Sequence, residues 1–111
     1  MPESIVIAWS GGKDSALALH AIRRSSAFHV EALVTTFHHG RDRNAMHGIA
    51  REIIQEQARM LGLPLVEIWL NEGASNVEYE RAWEEALQPY QAQGVRRVVY
   101  GDLFLADIKA Y

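Results

Sequence analysis

Six consecutive residues, Ser10-Gly11-Gly12-Lys13-Asp14-Ser15, bring together the groups best suited to holding an anion. Paired glycines let a backbone turn sharply and approach a ligand with no side chain in the way. If a helix follows at once, its first amides have no intrahelical acceptor, and the peptide dipoles add partial positive charge there. Such a mouth attracts phosphate, each favourable charge interaction contributing roughly 0.3–2 kcal/mol. Lys13 adds a mobile cation, and Ser10 and Ser15 add hydroxyl donors. Asp14 repels a bare phosphate, so its presence points to capping of the helix amides or to holding Mg²⁺. The spacing is too short for a Walker A loop and lacks the third glycine of a dinucleotide fingerprint. A plain glycine turn with a capping aspartate is the bland alternative.

The surrounding elements supply the required setting. Residues 4–9 form an apolar, β-branched run, as expected of a strand covered on both faces. Residues 13–25 have helical periodicity, with Leu17, Ala18, Ala21 and Ile22 on one stripe. Residues 30–37 are a second strand. Polar residues 38–44 follow as a long loop. A helix then runs from Met46, facing inward with Ile49, Ala50, Ile53, Ile54, Gln57, Ala58 and Leu61. Gly62 and Pro64 stop it. Residues 65–70 are a third strand, and Ser75 and Glu78 have capping-box spacing before a helix carrying Val77, Trp83, Ala86, Leu87 and Tyr90. Pro89 is expected to kink or restart that helix, and Gly94 closes it. Residues 97–100 are a fourth strand, with a new helix expected near Phe104. The alternation predicts a three-layer α/β/α, doubly wound parallel sheet with right-handed crossovers.

Composition narrows the classes. The 111 residues suffice for one modest core. A hydrophobic fraction of 49% and a charged fraction of 23% are ordinary for a globular protein. The net charge of −3 disfavours nucleic acid and basic membrane-surface binding. Zero cysteines exclude disulfides, thiolate metal sites and sulfur transfer through a protein thiol. The start is acidic and its apolar run is five residues, against about 20 for a membrane helix, so a cytoplasmic location is expected. The chain stops a few residues into the expected last helix. Residues 1–111 therefore read as one domain truncated at its C-terminal end, with a fifth strand missing. Residues 97–100 would then be an open edge, so self-association or a further segment is expected.

Ser10 to Ser15 after a first strand resembles the PP-loop of the N-type ATP pyrophosphatase superfamily. That group includes GMP, NAD and asparagine synthetases and several tRNA-modifying enzymes. Met46-His47-Gly48-Ile49, residues 57–65, and Gly101-Asp102-Leu103-Phe104-Leu105 resemble the diphthine–ammonia ligase-like (diphthamide synthetase, ATP-binding) branch, in its N-terminal half. The branch often has an acidic residue where Ala106 stands, and its second half is absent. The resemblance implies a Rossmann-like fold of the adenine nucleotide alpha hydrolase type, with strand order 3-2-1-4. It implies an ATP-dependent amide ligase that forms AMP and pyrophosphate, with Mg²⁺ as cofactor. ATP, an acceptor of unspecified identity and ammonia would be its partners. A nucleotide-binding or sensing module without turnover, and a PP-loop tRNA-modifying enzyme, are the alternatives.

With strands one and four adjacent, as the resemblance implies, Gly101 and Asp102 face the loop's crevice. Asp102 then binds Mg²⁺ with Asp14 or positions a phosphate; the alternative is an ordinary strand-end turn. Thr35, Thr36 and Phe37 border the adenine through backbone groups, or simply end a strand. His38, His39 and His47 with Arg41 and Arg43 form a locally basic stretch. It is either a loop folding over triphosphate or a solvated connector, and His47, within the family-like segment, is its preferred member. Lys13 and Asp14 are the expected catalytic groups.

Overall fold

The computed structural model describes residues 2–40, 48–100 and 105–107. The order is β1 (Glu3–Ala8), α1 (Lys13–Arg24), β2 (Phe28–His38), α2 (Arg51–Leu61), β3 (Leu65–Leu70), α3 (Asn76–Ala92), β4 (Arg97–Val99) and β5 (Leu105–Asp107). One sheet runs β3-β2-β1-β4-β5. The first four strands are parallel, β1 pairing with β2 and β4, and β2 with β3. This is the expected Rossmann-like arrangement.

The far edge differs from expectation. Leu105–Asp107, expected to lie in a new helix beginning near Phe104, is a short strand antiparallel to β4, pairing Val99 with Leu105 and Arg97 with Asp107. The β4 edge expected to lie open is therefore covered by the chain itself. Leu-Ala-Asp is too short for a period of 2 to be told from one of 3.6.

Strand β1 is buried on both sides: Ile5, Val6 and Ile7 are wholly inaccessible. Its odd residues join a cluster with Leu19 and Ile22 of α1 and Ile54 and Ala58 of α2. Its even residues join Leu87 of α3, Ile68, Val95 and Val98. Helices α1 and α2 thus lie on one face and α3 on the other, which makes the β1–β4 boundary the switch point where the winding reverses.

Three inward stripes need correction. Helix α1 buries Ser15, Ala18, Leu19 and Ile22, leaving Leu17 at 55% exposure. A threaded serine takes the place assigned to the larger leucine, because the loop needs Ser15 inside. In α2, Ile53 is 53% exposed while Ile54 is fully buried. Val77 of α3 is likewise exposed. The punctuation holds: Gly62 caps α2 at φ 70°, and Ser75 and Glu78 form a reciprocal capping box. Pro89 lies within α3, which runs on to Ala92 without a restart.

Candidate functional site

Strand β1 passes through Trp9 into the glycine loop, and Trp9 is tied on three sides. Its amide donates to the Val34 carbonyl at 2.7 Å. Its carbonyl accepts from the Thr35 hydroxyl, and its indole Nε1 donates to Gln57 Oε1 at 2.9 Å. Gln57 Nε2 in turn donates to the Gly11 carbonyl at 3.2 Å. The segment entering the loop is therefore held from β2 and from α2.

Gly11 has φ 81°, a left-handed conformation that side chains with a Cβ rarely adopt. A Cβ there would lie 3.1 Å from both Gln57 Oε1 and Ile49 Cδ1, and 3.4 Å from Ile54 Cγ1. The loop leans directly on α2, so glycine is required for conformation and for space.

Ser10 and Ser15 are buried and serve each other. The Ser10 amide donates to Ser15 Oγ at 3.0 Å, and the two hydroxyls are 2.7 Å apart. The Gly12 amide donates to Ser10 Oγ at 3.3 Å. These hydroxyls help to shape the loop from within. Gly12 is the N-cap of α1, and no side chain caps it. Asp14, one of whose expected roles was capping, does not fill it. Among the described residues no side chain accepts from the amides of Lys13, Asp14 or Ser15, which a first helical turn leaves without intrahelical acceptors. Both Lys13 and Asp14 are exposed, and neither forms an ion pair among the described residues. An uncapped helix mouth beside an exposed ammonium group can hold an anion by backbone amides and charge together.

The other predicted residues separate. Thr35 and Thr36 are buried, the Thr35 hydroxyl being spent on Trp9. Phe37 is fully inaccessible and stacks on Trp69 with ring centroids 4.9 Å apart. Its ring is core, so only backbone at this strand end can meet a ligand. His38 closes β2, with a buried Nδ1 that has no hydrogen-bond partner among the described residues. His39 is exposed and stacks on Trp69 at 5.7 Å. Arg41, Arg43, His47, Gly101 and Asp102 lie outside the described residues, so the lid and the second metal-site aspartate have no geometry here. Among the described residues no three His, Asp or Glu side chains gather as a metal cluster. Oxygen donors suit Mg²⁺, which is ordinarily held by one or two carboxylates plus substrate phosphates. Asp14 at the helix mouth fits that modest requirement.

Sequence reasoning missed Trp9 and Gln57 as shapers of the loop. The signal was present: a glutamine in the apolar stripe of an amphipathic helix must find buried polar partners. Elsewhere at this rim, the Arg51 guanidinium grips Glu67 at 2.7 and 2.8 Å and lies 5.1 Å over Trp69. That hydrogen bonding holds the Glu67 carboxyl below the usual glutamate range, against the upward push of desolvation. Burial, with a smaller contribution from Tyr79, pushes the Tyr100 phenol up.

An open depression of about 520 Å³ is lined by Pro2, Glu3, Ser4, Gly94, Arg96, Arg97 and Asp107. It lies at the amino ends of β1 and β4, across the sheet from the glycine loop, where doubly wound folds do not bind their ligands.

A parallel sheet of order 3-2-1-4, with a glycine turn feeding an uncapped helix at the switch point, defines a Rossmann-like α/β domain of the PP-loop class. The family described as diphthamide synthase N-terminal domain matches residues 3–111, and the chain belongs to it. No curated relative and no solved structure matches the chain. Among the described residues no helix is long and apolar enough to cross a membrane.

Proposed function

We propose that residues 1–111 form one PP-loop domain that binds ATP and presents its α-phosphate for attack by a substrate oxygen. The observation that carries this is the left-handed turn at Gly11 opening onto an uncapped α1 beside exposed Lys13. Membership of the diphthamide synthase family supports it further.

In this reading a substrate carboxylate oxygen forms a bond to the α-phosphorus. The bond from that phosphorus to the α–β bridging oxygen breaks, and pyrophosphate leaves with the electron pair. The nitrogen of ammonia then attacks the activated carbonyl carbon, AMP departs, and an amide remains. Negative charge grows on the pyrophosphate side in the transition state. The amides of Lys13, Asp14 and Ser15, fixed before reaction, stabilise that charge without reorganising. Lys13 Nζ adds a movable positive charge. Asp14 would help hold Mg²⁺, which neutralises phosphate charge when bound. Strand-end backbone at Thr35, Thr36 and Phe37 would border the adenine, with Gly101, Asp102 and His47 completing the ligand set.

Incubation with ATP and Mg²⁺, with and without candidate carboxylate acceptors and ammonia, tests the reading. AMP and pyrophosphate are the expected products. Inorganic phosphate and ADP would contradict the cleavage position. ATP binding with no cleavage under any acceptor would favour a binding or sensing module.

A further inference from the structure

We propose that Gln57 is a positioning residue for the phosphate loop, its carboxamide clamping the Trp9 indole to the Gly11 carbonyl and so fixing which way the loop's peptides face. This rests on the reading that the loop binds nucleotide.

The two bonds specify the residue type. An indole N–H can only donate, so the group facing Trp9 Nε1 at 2.9 Å must be an acceptor. A carbonyl can only accept, so the group facing Gly11 O at 3.2 Å must be a donor. A carboxamide supplies both from one rigid plane. Only one of its two flipped orientations satisfies both neighbours, so the assignment follows from the network. An ionised carboxylate lacks the donor, a hydrocarbon lacks both, and a lysine lacks the acceptor.

The consequence for the loop is geometric. In a trans peptide the carbonyl and the next amide point in opposite directions. Holding the Gly11 carbonyl against α2 therefore aims the Gly12 amide away from α2, where it meets Ser10 Oγ. Gly11, lacking a Cβ and at φ 81°, is also the place where a peptide flip is easiest. Gln57 acts at that weakest point. Ile49 and Ile54 pack beside it, so α2 serves as the wall on which the loop is set.

Gln57→Glu makes the proposal testable by pH. A protonated glutamic acid reproduces the amide, its O–H donating to Gly11 and its carbonyl accepting from Trp9. An ionised one sets a carboxylate oxygen against the Gly11 carbonyl and adds negative charge beside the polyphosphate. ATP affinity of the wild-type chain, Gln57→Glu and Gln57→Leu is measured by calorimetry from about pH 4 to about pH 8, spanning the ordinary glutamate pKa of about 4.3, with thermal unfolding of each recorded alongside. Gln57→Leu is expected to bind about tenfold more weakly than wild type throughout, the equivalent of one lost net hydrogen bond. Gln57→Glu is expected to approach wild type at the acid end and fall at least tenfold below it at the alkaline end. Equal affinity of all three at every pH overturns the proposal while leaving ATP binding intact. So does a loss of affinity in both variants that follows only loss of folded protein. A wild-type chain that binds no ATP overturns the underlying reading and this inference with it.

Discussion

The two ends of β1 handle charge in opposite ways. At its amino end, Glu3 is bound by Arg97 through two guanidinium contacts, and Asp107 stands nearby on the paired β5. The Arg97 charge there is paired with a carboxylate, while Arg96 of the same concavity is exposed and forms no ion pair among the described residues. At its carboxyl end the buried ties are neutral: indole to amide, amide to carbonyl, hydroxyl to hydroxyl. Lys13 and the first-turn amides of α1 are not paired off among the described residues. A fold that must grip an anion shapes the site with uncharged hydrogen bonds and keeps its positive charge for the ligand.

Substitutions at each end sharpen that contrast. The largest effect is expected from Ile54→Ala, which removes a fully buried side chain beneath the loop. It should cost about 2–5 kcal/mol in denaturant unfolding, with weakened ATP binding as the wall recedes. A cost below about 1 kcal/mol would mean that α2 does not support the loop. Gly11→Ala comes next, at about 1–3 kcal/mol, because a left-handed alanine must also crowd Gln57 and Ile49. ATP affinity should fall more steeply than stability. Equal affinity would show that the turn tolerates a side chain. Ser15→Ala should cost about 1–2 kcal/mol by removing the buried hydroxyl that bonds the Ser10 amide and hydroxyl, seen as a lowered melting temperature.

The smallest effect belongs to the amino end. The Arg97 hydrogen bond lowers the Glu3 pKa. Its contribution is therefore present above the ordinary glutamate pKa of about 4.3 and is lost as pH falls through the lowered value. Arg97 stays protonated throughout. The side chains keep 35% and 33% of their surface in water, so screening keeps the contribution small. Glu3→Gln should melt slightly below wild type at neutral pH, and the gap should narrow as pH falls below the ordinary glutamate range. A gap that widens in acid would contradict the sign.

Much of this was legible in the sequence, for identifiable reasons. Gly62 and Pro64 mark the end of α2 and so the start of β3. The Ser75–Glu78 box named its helix start outright. The loop itself was legible because glycine pairs and a following helix have few other uses. Less legible was which face each helix turns inward. Leu17 and Ile53 are as apolar as their buried neighbours, and only the tertiary demand for Ser15 and Gln57 near the loop sets the rotation. Residues 105–107 misled because three residues carry no usable period. Phe37 looked like a site residue because it stands near a strand end. Its partner Trp69 sits across the β2–β3 register, which a linear reading does not display.

The most direct measurement is ATP affinity of the wild-type chain, Lys13→Ala and Arg59→Ala, compared by calorimetry in the presence of Mg²⁺. Arg59 lies on the exposed side of α2, paired with Glu56. Wild type and Arg59→Ala should bind ATP alike, with Lys13→Ala weaker by tenfold or more, the equivalent of about 1.4 kcal/mol. Equal affinities for all three, or none in the wild type, would contradict the claim that this helix mouth and its lysine hold a nucleotide's phosphates.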